Sequence, residues 1–238
     1  MLPQPDETTC GPTCLHAIYE YFGDHVPLES VIARTRRLKS GGTLAVLLAC
    51  DALRRGYSAT LYTYNLEVFD PTWFEPGDVD FTAKLRAQRR RKGGKKLRVA
   101  TAGYLEFLKL GGTVRFEDLS GRLVRSFLDR GIPVLTGLSA TYLYRTPREH
   151  GPKADYDDVR GRATGHFVVL IGYDREERTV LVADPLVPNP RFPTPTYEIG
   201  VDRLLNAILL GNLTYDDNLL VIEPKPRPRT DDSPRKPS

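Results

Sequence analysis

A hairpin of two apolar strands in the second half of the chain constrains the fold most. The run Gly165-His-Phe-Val-Val-Leu-Ile-Gly-Tyr-Asp174 is typical of a buried strand, and Thr179-Val-Leu-Val-Ala183 returns after a polar turn. If the turn centres near Arg175, antiparallel pairing places residue i opposite about residue 350 − i. This register brings Asp184 beside His166. A slip of one residue would send the two side chains to opposite faces of the sheet.

The other predicted elements place helices before strands. Apolar residues recur every three or four positions from Cys10 to Phe22, which predicts a helix, and Pro12 and Gly23 stand near its two ends. By the same patterns we predict helices over Leu28–Arg36, Leu44–Arg54 and Leu119–Asp129, and strands over Ser58–Tyr64, Ile132–Leu138 and Asn218–Glu223. Helices followed by antiparallel strands predict an α+β fold.

Charge and cysteine content exclude several classes of protein. The net charge is +4, and residues 225–238 hold five basic and two acidic side chains, so the body is nearly neutral and gives little reason to expect nucleic acid. No stretch approaches the roughly 18 apolar residues of a membrane span, and the N-terminus lacks the pattern of a secretory signal. Three unevenly spaced cysteines do not make a disulfide framework. We therefore expect a cytoplasmic protein without a membrane partner.

Cys10 is the strongest candidate for a nucleophile. It stands where a loop becomes the first predicted helix, in Thr8-Thr-Cys-Gly-Pro-Thr-Cys14, and the positive end of a helix dipole favours a thiolate at this place. Gly11 would let an acyl group approach the backbone closely. The alternative for Cys10 alone is a small buried residue at the start of an amphipathic helix. For Cys14 and Cys50, which lie within predicted helices, burial is the favoured interpretation.

His166 is the strongest of the four histidines as a base for this thiol. His16 lies six positions after Cys10, over a turn away on the opposite side of the predicted helix. His150 stands in a polar loop with no partner pattern. His166 begins the buried strand, and the hairpin register supplies Asp184 to hold the imidazole by its other nitrogen.

Three short segments of the chain resemble the peptidase C39-like branch of the papain-like cysteine peptidases. These segments are Gln4 followed after five residues by Cys10-Gly-Pro-Thr-Cys-Leu15, the run Gly165–Asp174, and Ala183-Asp-Pro185. They occur in the order and at the spacing of the family. The resemblance implies a papain-like fold in which a cysteine-bearing N-terminal helix packs on an antiparallel sheet that carries the histidine and the aspartate.

The resemblance also implies a role for each matching residue. Cys10 is the expected nucleophile, His166 the general base and acid, Asp184 the residue that orients the imidazole, and Gln4 a donor that completes an oxyanion hole with the Cys10 N–H. These residues predict a cysteine-dependent hydrolase that cleaves a peptide or amide bond, isopeptide bonds included, through an acyl-enzyme. No metal and no organic cofactor is expected.

The substrate is constrained less than the chemistry. Gly11 and Gly165, the neighbours of the predicted nucleophile and base, are predicted to contact the substrate. Family members joined to transporters cleave leader peptides after a double glycine, and this substrate does not transfer to a chain without a transporter. Free-standing relatives encoded beside ATP-grasp peptide ligases suggest a functional link to such a ligase and a peptide or peptide-tagged substrate.

The segment from about 66 to 112 does not match the family pattern and is predicted to be a basic insertion in a domain of residues 1–223. Within it, Lys84–Arg98 holds nine Lys or Arg in fifteen residues around Gly93-Gly94. A solvated helix face is the simplest interpretation, and a dock for an acidic peptide is the alternative, ahead of nucleic acid. Residues 224–238, rich in Pro and Arg, are predicted to be disordered.

Three alternatives to hydrolysis stay open. An amine that outcompetes water would give acyl transfer of the phytochelatin-synthase type. A catalytically inactive peptide-binding module would keep the same fold. A zinc site built from Cys10, Cys14 and His16 is the third alternative, although the paired spacing of ordinary structural zinc motifs is missing.

Overall fold

The apolar runs of the chain form a mixed sheet of seven strands in the computed structural model, which describes residues 1–39, 41–151, 153–215 and 217–225. In chain order the strands are β1 (Tyr57–Thr63), β2 (Thr113–Arg115), β3 (Val134–Ser139), the short β4 (Glu149–His150) and β5 (Asp155–Tyr156), β6 (Gly165–Asp174), β7 (Thr179–Ala183), β8 (Thr196–Gly200) and β9 (Asn218–Pro224). The order across the large sheet is β2-β1-β9-β3-β6-β7-β8, and β4 pairs with β5 in a separate hairpin. Neighbouring strands are antiparallel except for the parallel pair of β1 and β2.

Eight α-helices accompany this sheet in the part of the chain that the structure describes. They are α1 (Cys10–Tyr21), α2 (Leu28–Arg34), α3 (Ala45–Arg54), α4 (Phe81–Arg91), α5 (Lys95–Lys109), α6 (Gly121–Leu128), α7 (Ala140–Tyr144) and α8 (Val201–Leu210). The four predicted helices are confirmed to within a few residues at each end, and so is the α+β class. No helix of the described residues has both the length and the apolar content needed to cross a membrane.

Side chains alternate across the strands and build a core on each face of the sheet. Along β6, Val169 joins the core that contains α1, α3 and α5, whereas Val168 and Leu170 join the core that contains α6, α7 and α8. A strand that is buried on both faces needs a continuous apolar run rather than an alternating one. The run in β6 therefore fits its central place in the sheet.

The predicted insertion is part of the folded core. Its two helices are separated by the predicted break at Gly93-Gly94, and each buries apolar side chains, among them Leu85, Leu97 and Phe107. At Gly103 an added Cβ would lie 2.8 Å from the Val46 side chain, so glycine is what allows α5 to pack closely on α3. In the predicted tail, residues 226–238 lie outside the described residues.

The hairpin of β6 and β7 has a different register from the predicted one. Asp174 pairs with Thr179 and Val169 pairs with Ala183, so the predicted partners are wrong by two to three residues. An irregularity at Ile171, between Leu170 and Gly172, adds one residue to β6. Because a single added residue reverses which side chains share a face, this irregularity puts His166 and Asp184 on the same face.

Candidate active site

The loop before helix α1 is held by its own polar side chains. The Asp6 carboxylate accepts hydrogen bonds from the Thr8 N–H and the Thr8 hydroxyl, both at 2.7 Å. The Thr9 hydroxyl donates to the Asp6 carbonyl at 3.0 Å, and the Thr13 N–H donates to the Thr9 carbonyl as the helix begins. Cys10 is thus the first residue of α1, where the N–H groups of the first turn have no partner within the helix.

His166 and Asp184 form a buried hydrogen-bonded pair. The distance from His166 Nε2 to Asp184 Oδ1 is 2.8 Å, and the two residues are 5% and 0% exposed. Because Nε2 is occupied by Asp184, Nδ1 is the ring nitrogen that remains for Cys10. The imidazole also makes a side-chain hydrogen bond with Cys10, which is 8% exposed.

Five donors hold the Asp184 carboxylate. Besides His166, Oδ1 accepts from the Leu186 N–H at 2.9 Å, and Oδ2 accepts from the Tyr144 hydroxyl at 2.6 Å, the Tyr197 hydroxyl at 2.8 Å and Asn189 Nδ2 at 3.1 Å. A buried carboxylate is stable only when hydrogen bonds replace its lost water. Burial would raise the pKa of Asp184, but these bonds, with the one from His166 foremost, lower it.

The charges of the site favour an imidazolium. Burial alone would lower the pKa of His166, but the adjacent Cys10 charge and the hydrogen bonds to Asp184 and Cys10 raise that pKa to about 10. Burial and the Asp184 charge raise the pKa of Tyr144 and of Tyr197, so both hydroxyls stay protonated and donate. The site is thus built to keep a proton on His166 next to the thiol.

Two hydrogen bonds hold Gln4 beside the His166–Asp184 pair. Its backbone N–H donates to the Pro185 carbonyl at 2.9 Å, directly after Asp184, and its Nε2 donates to the Asp6 carbonyl at 3.0 Å. Its Oε1 is buried and has no hydrogen-bond partner among the described residues. An amide nitrogen carries two hydrogens, so Gln4 keeps one N–H for a further acceptor.

Two cavities meet at the Cys10–His166 pair. The Cys10-side cavity has a volume of about 420 Å³, and its lining includes Cys10, Gly42, Thr43 and Lys96. The His166-side cavity has a volume of about 530 Å³, and its lining includes Gln4, Tyr144, His166, Asn189 and Pro190. The two cavities share lining residues, so together they form a cleft that passes over the candidate nucleophile and its base.

The two glycines predicted to contact the substrate differ in their surroundings. Gly165 lines both cavities, and its contact with a substrate stays a prediction. Gly11 lines neither, and an added Cβ there would lie 2.7 Å from Thr43 and 3.2 Å from Leu48 and Phe167. The missing side chain of Gly11 thus serves the packing of α1 against the core, and a contact of Gly11 with a substrate stays a prediction.

The other two cysteines are buried, as predicted. The Cys14 thiol donates to the Phe167 carbonyl at 3.2 Å, which ties α1 to β6 beside the histidine. Burial raises the pKa of Cys14 well above its ordinary value and that of Cys50 to about 11. The zinc alternative is not formed, because His16 instead lies 3.7 Å from Glu20, and no group of three or more candidate metal ligands occurs among the described residues.

Sequence reasoning missed the residues that surround Asp184. Tyr144 follows the predicted strand Ile132–Leu138 in a short helix, Asn189 lies in a proline-rich loop, and Tyr197 lies in the unpredicted strand β8. No periodic pattern marks them. The one available signal is that a buried carboxylate after a strand needs donors, and hydroxyl and amide side chains are the ordinary suppliers.

Comparison with known proteins confirms the predicted resemblance. A model of the Peptidase_C39 like family matches residues 100–192, which include His166 and Asp184 and leave out Cys10. No curated protein sequence matches this chain. The assignment of Cys10 to the site therefore depends on the geometry described above.

Three solved structures are similar to this chain at low sequence identity. A C39-like peptidase from Bacillus anthracis has a TM-score of 0.51 and 13% identity, with 95% of each chain covered. The peptidase domain of Streptococcus ComA, a bifunctional ABC transporter of a quorum-sensing pathway, has a TM-score of 0.45 and 12% identity over 94% of this chain and 97% of that one. A double-glycine-motif protease from an AMS/PCAT transporter, in complex with the leader peptide, has a TM-score of 0.43 and 15% identity over 94% and 90%. The first of these supports the papain-like fold of C39-like peptidases for this chain.

Proposed function

We propose that this protein is a cysteine-dependent hydrolase that cleaves a peptide or amide bond, isopeptide bonds included, with Cys10 as nucleophile. One observation carries the proposal: the Asp184 carboxylate, held by five donors, bonds a buried His166 whose imidazole contacts a thiol at a helix N-terminus. A nucleophile, a base and an orienting group in hydrogen-bonding contact are the arrangement that covalent catalysis by a thiol requires.

The reaction follows from the positions of these groups. The Cys10 thiolate attacks the carbonyl carbon, and the oxyanion that forms accepts hydrogen bonds from the Cys10 N–H and the second N–H of Gln4 Nε2. The imidazolium of His166 gives its Nδ1 proton to the leaving nitrogen as the C–N bond breaks, which leaves a thioester on Cys10. His166 then takes a proton from a water molecule, which attacks the thioester and releases the acid and the thiolate.

The same steps orient the substrate in the cleft. The leaving amine receives its proton from His166, so the part of the substrate after the cleaved bond lies in the His166-side cavity with Gln4 and Asn189. The acyl part lies in the Cys10-side cavity, where Gly42, Thr43 and Lys96 line the space.

The proposal is tested first by the reactivity of the three cysteines. The protein is treated with iodoacetamide between pH 5 and pH 9, and the modification of each cysteine is read by peptide mass spectrometry. At pH 6 we expect Cys10 to react at least tenfold faster than the other two, because only the thiolate is alkylated and burial raises the pKa of both Cys14 and Cys50. His166→Ala should slow Cys10 at pH 6 and leave Cys50 unchanged.

Hydrolysis itself is tested with peptide and amide libraries. Cys10→Ala should abolish cleavage, and Cys50→Ala, which removes a buried thiol far from the pair in sequence, should retain it. Cleavage that survives Cys10→Ala would contradict the proposed nucleophile. An unreactive Cys10 at pH 6 together with no cleavage of any library member would contradict the proposed function as a whole.

A further inference from the structure

Three arginines interact with one another close to segments that line the His166-side cavity. They are Arg145, which directly follows helix α7, Arg191, in the loop between β7 and β8, and Arg203, in helix α8. The charges of Arg145 and Arg191 are the two that act most strongly on Arg203, and with burial they lower its pKa. We refer to these three residues as the arginine cluster.

The arginine cluster has no acidic partner among the described residues. None of the three guanidinium groups forms an ion pair with a described carboxylate, whereas ten other arginines do. Arg203 donates to the carbonyls of Tyr142 and Leu143, which fixes its position and leaves its charge uncompensated. Like charges without counter-ions create a positive potential that attracts anions.

A cavity lies between two members of the arginine cluster. It has a volume of about 400 Å³, and Arg145, Arg203, Ser139, Thr141 and Tyr142 are among its lining residues. Hydroxyl groups and guanidinium groups are the donors that recognise carboxylates. Arg145 has a left-handed backbone, with φ 55° and ψ 43°, a conformation that a residue with a side chain adopts at a cost.

The segments that hold Asp184 also position the arginine cluster. Arg145 directly follows Tyr144, whose hydroxyl bonds Asp184. The Arg191 N–H donates to Asn189 Oδ1 at 3.0 Å, while Asn189 Nδ2 donates to Asp184. Tyr144 and Asn189 both line the His166-side cavity, and although none of the three arginines lines it, Arg145 and Arg191 belong to the segments that do.

We propose that the arginine cluster binds a carboxylate on the leaving side of the substrate, so that the enzyme prefers peptides with an acidic residue after the cleaved bond. This inference rests on the proposed function for the identity of the leaving side. In this inference the arginine cluster, and not the basic stretch Lys84–Arg98, is the dock for an acidic peptide. Of that stretch, only Lys96 is found among the described lining residues of the two cavities.

Binding is measured with a Cys10→Ala protein, so that no cleavage interferes. Fluorescein-labelled hexaglutamate and hexaglutamine are compared by fluorescence anisotropy at low and moderate salt. We expect hexaglutamate to bind at least tenfold more tightly, and the double substitution Arg145→Gln and Arg191→Gln to remove most of that ratio. Neither side chain contacts another described side chain by a hydrogen bond or ion pair, so these two changes should leave the fold intact.

The matched control is the double substitution Arg89→Gln and Arg90→Gln in α4, where both residues are exposed. It removes the same charge from the basic stretch and should leave the ratio unchanged. Equal binding of the two peptides, a ratio that survives the change in the arginine cluster, or a ratio lost in the α4 control would each overturn the inference.

Hydrolysis supplies the second measurement. Fluorogenic peptides that differ by Glu or Gln at successive positions after the cleaved bond are compared by kcat/KM in the wild type and the Arg145/Arg191 variant. A preference for Glu at one position, lost in the variant, supports the inference. Cleavage without that preference overturns the inference and leaves the proposed function in place. Absence of cleavage together with arginine-dependent binding of hexaglutamate overturns the proposed function and leaves the anion site.

Discussion

Removal of one hydroxyl from the five donors that hold Asp184 should destabilise the protein measurably. Tyr144→Phe deletes the 2.6 Å hydrogen bond to Asp184 Oδ2 and keeps the aromatic ring, which is 3% exposed. The carboxylate keeps its bonds from Tyr197, Asn189 and His166, so it is weakened and not left without partners. The change therefore removes a hydrogen bond to a buried charge.

The expected cost follows from that geometry. Hydrogen bonds to charged groups contribute about 1.5–3 kcal/mol, and the lower half of this range applies because other donors remain. In a chain of this length, each kcal/mol lowers Tm by about 2–4 °C. We expect Tyr144→Phe to lose about 1.5–2 kcal/mol of unfolding free energy and roughly 3–8 °C of Tm.

The matched control is Tyr64→Phe. The Tyr64 hydroxyl is also buried but has no hydrogen-bond partner among the described residues, so its removal should be neutral or slightly stabilising. Urea unfolding at pH 7, followed by circular dichroism, gives the free energies of the wild type and both variants. Equal losses in the two variants would refute the reasoning, because the effect would then come from the hydroxyl and not from its bond to Asp184.

Two further predictions concern residues other than these five donors. Asp217 is fully buried with one carboxylate oxygen unpaired, and burial raises its pKa from 3.8 to about 7. The carboxyl of the unfolded chain therefore loses its proton at a lower pH than the carboxyl of the folded chain. The free energy of unfolding should fall by about 4 kcal/mol as the pH rises between these two values. Asp217→Asn should remove this dependence and exceed the wild type at pH 7, and urea unfolding at pH 4 and pH 7 checks it: a parallel pH dependence in both proteins would contradict it. Gly11→Ala should lower the free energy of unfolding by about 1–3 kcal/mol, because the new Cβ would lie 2.7 Å from the Thr43 side chain. Gly93→Ala is the control and should leave the free energy unchanged, because no atom lies within 4 Å of its new Cβ. Equal melting temperatures of the two variants would contradict this prediction.

Much of the fold could be predicted because its elements have local patterns. The helix that begins at Cys10 has an apolar period and a glycine after its end, and the strands β6 and β7 are apolar runs with a turn between them. The residues that are chemically distinctive, Cys10 and His166, occupy the ends of such elements. Their pairing could therefore be proposed from the order of the elements and from the residue types.

The remainder depends on contacts that no local pattern records. The predicted register placed His166 and Asp184 side by side although its turn was misplaced. The turn lies later along the chain than expected, and the added residue at Ile171 brings the two side chains back to the same face. Strand β8 is only five residues long and directly follows Pro193-Thr-Pro195, so its alternating pattern is too short to stand out. Gly11 shows the same limit, since a glycine next to a nucleophile and a glycine under a packed helix look identical in a sequence.

The side chains that hold Asp184 and two arginines of the arginine cluster lie in the same segments of the chain. A buried carboxylate paired with a histidine gains little net stability, because the loss of hydration offsets much of the attraction. Its value in this fold is positional: Tyr144 and Asn189 hold Asp184 by their side chains, and the same segments carry Arg145 and Arg191. In the proposed mechanism, an acidic group bound at the arginine cluster would thus be fixed relative to the imidazole that protonates the leaving nitrogen. Proton donor and leaving group would then be positioned by the same two segments, which is the arrangement that lowers the entropic barrier to the bond-breaking step.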